Sequence, residues 1–148
     1  MNLKFALRTF SLLATWLVFQ NFNLPSTGPR PLQDRWFQPG GHVEPGDASM
    51  LAAAQRELAE ECGIANAVPL SESLFDLDIH LIPAKGDMPE HAHYDLRFAF
   101  VAPPGTVGSA DFGEIKGLRW VPLPDLLQMP LQQSLRRMAL KTVDVIQG

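Results

Sequence analysis

The sequence predicts strands and helices layered in a single α/β or α+β domain, and three observations carry that expectation. Two segments, "LFDLDIHLI" (74–82) and "HYDLRFAFV" (93–101), alternate apolar and polar residues with the period of a half-buried strand. Two others, "ASMLAAAQRELAEEC" (48–62) and "LQQSLRRMALKTVDVI" (131–146), have the composition and spacing of helices. The length of 148 residues, 46% of them apolar, suits one domain spanning 1–148 with a real core.

From the N-terminus, Lys4 and Arg8 precede the apolar run "FSLLATWLVF" (10–19), a pairing that resembles the start of a signal peptide. No small-x-small cleavage pattern follows, and the run is too short to span a bilayer. Thr15, Trp16, Val18 and Phe19 suit a buried strand, so the run reads as one strand. Residues 21–35, with three prolines, read as a loop.

"WFQPGGHVEPGD" (36–47) leads into the best-defined helix, with Asp47 as the expected N-cap and Gly63 as the C-terminal stop. The two alternating segments follow, joined by "PAKGDMPEHA" as a wide antiparallel hairpin. That pairing puts Asp76, Asp78 and His80 on the same sheet face as His93, Asp95 and Arg97. The face is expected either to be wet or, if it meets the helix over 48–62, to line a pocket. "GLRWVPL" (117–123) reads as a later strand ended by Pro122 and Pro124. A closing helix then turns Leu135, Met138 and Val145 inward.

Composition narrows the function classes. A net charge of −4, with no run of Lys or Arg, excludes a surface built to neutralise a nucleic-acid backbone. Cys62 is the only cysteine, which excludes an internal disulfide and a cysteine-based zinc site. It reads as a small buried hydrophobe in a cytoplasmic protein, with neither membrane nor nucleic acid as partner.

On the helix, Glu57, Glu60 and Glu61 share an arc beside the apolar stripe Leu51, Ala54, Leu58 and Cys62. Their mutual repulsion is relieved either by full solvation or by a hard divalent cation with oxygen ligands. The helix alone does not choose. The loop "PGGHVEPGD" that feeds it has three glycines, which permit close backbone approach to a ligand.

Residues 40–64, "GGHVEPGDASMLAAAQRELAEECGI", resemble the signature of the Nudix (MutT-like) hydrolases, G-x5-E-x7-R-E-U-x-E-E-x-G-U with U a bulky aliphatic. Arg56, Glu57, Leu58, Glu60, Glu61, Gly63 and Ile64 stand at the R, E, U, E, E, G and U positions, and Gly41 opens the match. Two departures lie together: Asp47 takes the place of the first glutamate, and eight residues rather than seven separate it from Arg56. The single strand and proline-rich loop of residues 1–35 also depart from the family's usual pair of leading strands.

The resemblance implies an α/β/α sandwich with a mixed sheet and a loop-helix-loop catalytic motif. It also implies hydrolysis of a diphosphate, nucleotide-derived, with Mg2+ or Mn2+ as cofactor. By that analogy Glu57 and Glu61 are metal ligands, Glu60 shares the metal shell or accepts a water proton, and the Gly40 carbonyl completes the coordination. Arg56 orients the carboxylates. The general base is either Glu60 or, as in members that supply it from a later loop, Glu114. Gly41, His42, Asp95 and Arg97 are the expected substrate-binding residues, and a homodimer is a reasonable oligomer. The alternative on the same fold is a ligand-binding or regulatory module that has lost catalysis.

Overall fold

The computed structural model describes residues 6–13, 16–22, 38–109 and 115–147; for 6–13, 16–22 and 115–117 it describes the backbone alone. The strands are β1 (Ala6–Leu13), β2 (Trp16–Phe22), β3 (Gly40–His42), β4 (Val68–Pro69), β5 (Asp76–Ile82), β6 (His91–Val101) and β7 (Ile115–Pro122). The helices are α1 (Met50–Cys62), α2 (Leu123–Gln128) and α3 (Gln133–Gln147). Glu114 and the stretch 23–37, which holds most of the expected loop, lie outside the described residues.

β6 organises the sheet. It runs parallel to β1 along one edge and antiparallel to β5 and β4 along the other, and β3 pairs antiparallel with β1. β2 and β7 form a separate antiparallel pair. Along β6 the side chains alternate between faces, as a pleated strand requires. Phe98 and Phe100 pack with Ala54, Leu58, Cys62 and Ile64 of the α1 layer, while Ala99 packs with Leu126, Leu135, Met138 and Ala139 of the α2–α3 layer. One mixed sheet between two helical layers is the α/β/α sandwich. Each fully buried side chain, such as Leu58 or Phe100, contributes about 1.5–3 kcal/mol by leaving water.

Several sequence expectations change. The N-terminal apolar run forms part of two strands rather than one, because a continuous apolar run has no period that locates a break. β4 and α2 were not foreseen. β4 has only two residues, and the prolines taken to end β7 also open α2, since proline fits a helix's first turn. Val145 is exposed on α3, whose buried positions are Leu135, Met138, Ala139 and Thr142.

The N-cap of α1 is Ser49, not Asp47: the Ser49 hydroxyl accepts from the Ala52 amide at 3.0 Å. Gly63 does end the helix. At φ 64° it is left-handed, and its amide donates to the Ala59 carbonyl while the Ile64 amide donates to Leu58. Cys62 is fully buried, and burial pushes its thiol well above the ordinary range.

The hairpin registers as expected, with Asp76 opposite Arg97, Asp78 opposite Asp95 and His80 opposite His93. Its polar face is turned away from α1 and is covered at one end only, with His80 left exposed at the other. Arg137 and Lys141, one turn apart on α3, reach down to Asp76, and Asp76, Asp95 and Arg97 are buried. The apolar row of β5, Leu77, Ile79 and Leu81, is the exposed one. Alternation reports that a strand has two unlike faces; which face is covered depends on where the helices dock.

Candidate metal and diphosphate site

Strand β3 brings its glycines against the acidic edge of α1. The Gly40 amide donates to Glu61 Oε2 at 2.8 Å, which uses a carboxylate of a buried residue to fix the strand to the helix. At the next residue, a Cβ added to Gly41 would overlap the Glu57 carboxylate, so that carboxylate keeps its present position only while position 41 lacks a side chain. Gly41→Ala is therefore expected to displace Glu57. Steady-state kinetics should show kcat/KM down by about 100-fold, the scale of an ångström of misplacement, with little change in Tm.

Arg56 is the hub. Its Nε and Nη2 grip Asp47 Oδ1 and Oδ2 at 3.0 and 3.1 Å, and Nη2 also donates to the His42 carbonyl at 3.1 Å. Nη1 donates to Glu57 Oε1 at 3.0 Å and Glu60 Oε2 at 2.9 Å. The fork geometry of a guanidinium suits this task, because one side chain meets several carboxylates in fixed directions. The hydrogen bond from Arg56 holds the Asp47 carboxyl below the usual carboxylate range, and the Glu44 amide, donating to Asp47 Oδ2 at 2.8 Å, adds to it.

Despite both departures from the signature, Asp47 reaches Arg56. Its carboxylate meets Arg56 two-pronged from the loop that precedes the helix, which begins at Met50. A shorter side chain on a longer loop still arrives at the guanidinium.

The three glutamates differ in environment. The Glu60 side chain is 60% exposed, whereas that of Glu57 is 12% exposed. Burial raises the Glu57 carboxyl above its ordinary range; Arg56 opposes the rise, and the charges of Glu60 and Glu44 add to it. A nearby divalent cation would reverse that penalty. An all-oxygen donor set, with a glycine cradle in front of it, fits Mg2+ or Mn2+.

A family model described as NUDIX domain matches residues 17–141. The chain belongs to the Nudix family. Its family is that of the Nudix hydrolases. No curated protein matches the chain. Its fold is similar to a MutT NUDIX hydrolase from Burkholderia pseudomallei, with TM-score 0.68 and 20% identity over 93% of this chain and 98% of that one. It is also similar to a C. elegans Ap4A hydrolase, with TM-score 0.61 and 20% identity over 97% of this chain and 96% of that one. A third likeness is to the NUDIX domain of Shewanella oneidensis NrtR complexed with ADP ribose, with TM-score 0.59 and 14% identity over 99% of this chain and 90% of that one.

In this Nudix chain, Gly40, Gly41, Arg56, Glu57, Glu60 and Glu61 come together at the junction of β3 and α1. His42 is exposed and offers its carbonyl to Arg56. Asp95 and Arg97 stand elsewhere, on the sheet face that α3 covers. Arg97 is 2% exposed, with Nη1 3.0 Å from Asp76 Oδ2 and Nη2 3.5 Å from Asp95 Oδ2 and 3.2 Å from the Ser134 hydroxyl. Sequence reasoning missed Arg137 and Lys141 as partners of that row. Their spacing of four on a predicted helix, against three aspartates on a predicted hairpin, was the available signal.

Proposed function

We propose that the chain is a Mg2+- or Mn2+-dependent pyrophosphohydrolase acting on a nucleotide-derived diphosphate. The observation that carries the reading is the Arg56 fork, which gathers Asp47, Glu57 and Glu60 while Gly41 and the Gly40 amide seat Glu57 and Glu61. Two similar structures, one an Ap4A hydrolase and one a NUDIX domain complexed with ADP ribose, are named with nucleotide-derived compounds that contain a diphosphate link, which supports that class.

In this reading Glu57 and Glu61 hold the ion, with the Gly40 carbonyl, and Glu60 is the third carboxylate of the shell. Bound there, the ion would neutralise the diphosphate, polarise a phosphorus–oxygen bond and lower the pKa of the attacking water. Arg56 keeps the carboxylates in place and is not itself consumed by the chemistry. The general base in this reading is Glu60, whose 60% exposure supports access to water, or Glu114. Gly41 borders the diphosphate; the expected substrate contacts from the His42 side chain, Asp95 and Arg97 are not part of this reading, because those side chains lie on the other face of the sheet. The protein is expected to work in the cytoplasm, with a homodimer as its expected oligomer. Among the described residues no helix is long and apolar enough to cross a membrane.

The test is a thermal melt against Mg2+ or Mn2+, followed by a panel of nucleoside polyphosphates, dinucleoside polyphosphates, nucleotide sugars and dinucleotide cofactors. An ion at 100 times its Kd stabilises by about 2.7 kcal/mol, a rise in Tm of about 5 °C or more for a domain of this size. Wild type should show that rise and turn over at least one class in the panel. An ion response without any turnover would instead favour a non-catalytic binding module.

A further inference from the structure

The chain has four histidines, and the other three converge on His93. His91, His93 and Asp95 alternate along β6 and so share one face. His80 stands directly opposite His93 on β5, their ring centroids 5.6 Å apart. The rings of His91 and His42 approach His93 to 4.9 and 6.4 Å. A wet strand face has no need to collect every imidazole in the protein at one spot.

We propose that His80, His93 and Asp95 form a second metal site, for a late first-row divalent ion of the zinc type. One ligand atom from each residue lies within 4.8 Å of the others. Bonds of about 2.0–2.2 Å keep two donors on one ion within roughly 4.4 Å of each other, so small side-chain rotations close the site. His80 Nδ1 is 3.8 Å from Asp95 Oδ2 and 3.5 Å from Asp78 Oδ2.

The surroundings orient the ligands. His91 Nδ1 lies 2.9 Å from the Pro89 carbonyl, which only accepts, so that nitrogen carries the proton. Neutral His91 then has its lone pair on Nε2, and His93 Nε2, 3.0 Å away, is the donor. The His93 ring is thereby fixed with its lone pair on Nδ1, the arrangement by which outer hydrogen bonds set the tautomer of a metal-binding histidine. Asp95 Oδ2, the oxygen nearest His80 Nδ1, is also 3.5 Å from Arg97 Nη2, which fixes the carboxylate in place.

This site differs from the glutamate site in place and in chemistry. A Cβ on Gly41 would point at Glu57, so the next residue, His42, faces the opposite side of the sheet, where His93 lies. Imidazole nitrogens favour zinc, nickel or cobalt, while the all-carboxylate set beside α1 favours magnesium or manganese. The two sites therefore sort ions by ligand softness.

The experiment uses chelator-stripped full-length protein held in excess Mg2+, into which Zn2+ is titrated by calorimetry, with Co2+ as a visible-absorption probe of nitrogen ligation. One tightly bound equivalent is expected, with affinity lowered more than about tenfold in His80→Ala and in His93→Ala. The Glu57→Gln, Glu61→Gln double variant should bind Zn2+ as wild type does. The His80 side chain is 41% exposed, so His80→Ala folds and decides the matter even if His93→Ala does not. No Zn2+ binding by wild type in Mg2+ overturns the proposal. So does binding that survives His80→Ala, and so does binding lost only in the glutamate variant. None of these results bears on turnover at the carboxylate site.

Discussion

Glu57→Gln and Glu61→Gln are each expected to lower kcat/KM by about 100- to 1,000-fold, the scale on which removing one preorganised charge contact slows an enzyme. Glutamine keeps the size of the side chain and an acceptor oxygen. At position 61 the amide of Gly40 therefore still has a partner, and β3 stays fixed to α1. What disappears is the negative charge that a divalent ion requires. The loss is expected in kcat as well as in metal affinity, so raising Mg2+ restores only part of it.

Stability separates this loss from a folding defect. Burial raises the Glu57 carboxyl, so in the metal-free protein its ionisation disfavours the folded state as pH rises from its usual carboxylate value, near 4.5, through the raised one. Removing that charge relieves the penalty. In chelator, Glu57→Gln should melt at or above the wild-type temperature. In Mg2+ the order reverses, because only wild type gains the binding energy. Activity within about tenfold of wild type in both single variants would sink the assignment of these carboxylates to the metal.

The site and the fold were legible in the sequence to different degrees. Glu57, Glu60, Glu61 and Arg56 lie within six positions on one helix, so helical periodicity alone puts them on one edge. Their strand partners Gly40 and Gly41 are only a loop away, and the glycines themselves advertised a close approach. The role of Asp47 was not legible. Its identity suited an N-cap, and only the geometry shows that Ser49 takes the cap while Asp47 holds Arg56. The polar face of the β5–β6 hairpin was visible as a pattern but not as an environment. Its burial depends on Arg137 and Lys141, some 60 residues away from Asp76 in the chain, and strand periodicity contains no information about a contact that distant. The histidine cluster failed for the same reason: His42 and His80 join His91 and His93 only through sheet register.

Asp76→Ala is expected to cost about 3–5 kcal/mol, because it takes from a buried cation its shortest charge partner rather than merely removing a surface contact. Asp76 is 4% exposed and takes hydrogen bonds from Arg97 Nη1 at 3.0 Å, Arg137 Nε and Nη2 at 3.0 and 2.7 Å, and Lys141 Nζ at 2.7 Å. Arg137 and Lys141 are partly exposed and can turn to water. Arg97 cannot, and without Asp76 its nearest carboxylate is Asp95 at 3.5 Å. For a domain of this size the loss corresponds to a Tm lower by about 10 °C. If that buried charge is the cause, Arg97→Met in the Asp76→Ala background should recover much of the loss; a simple sum of two penalties would contradict it. Acid titration gives a second readout. Burial by itself would raise the Asp76 carboxyl, but the hydrogen bonds from Arg137 and Lys141, with Arg97, outweigh it and bring it from 3.8 to about 2. A carboxyl depressed in the folded state stabilises fully above its unfolded value and loses that contribution as pH falls through the folded one. Wild type should therefore lose about 2 kcal/mol from this group between pH 4 and pH 2, and Asp76→Ala should show a correspondingly flatter dependence over the same range.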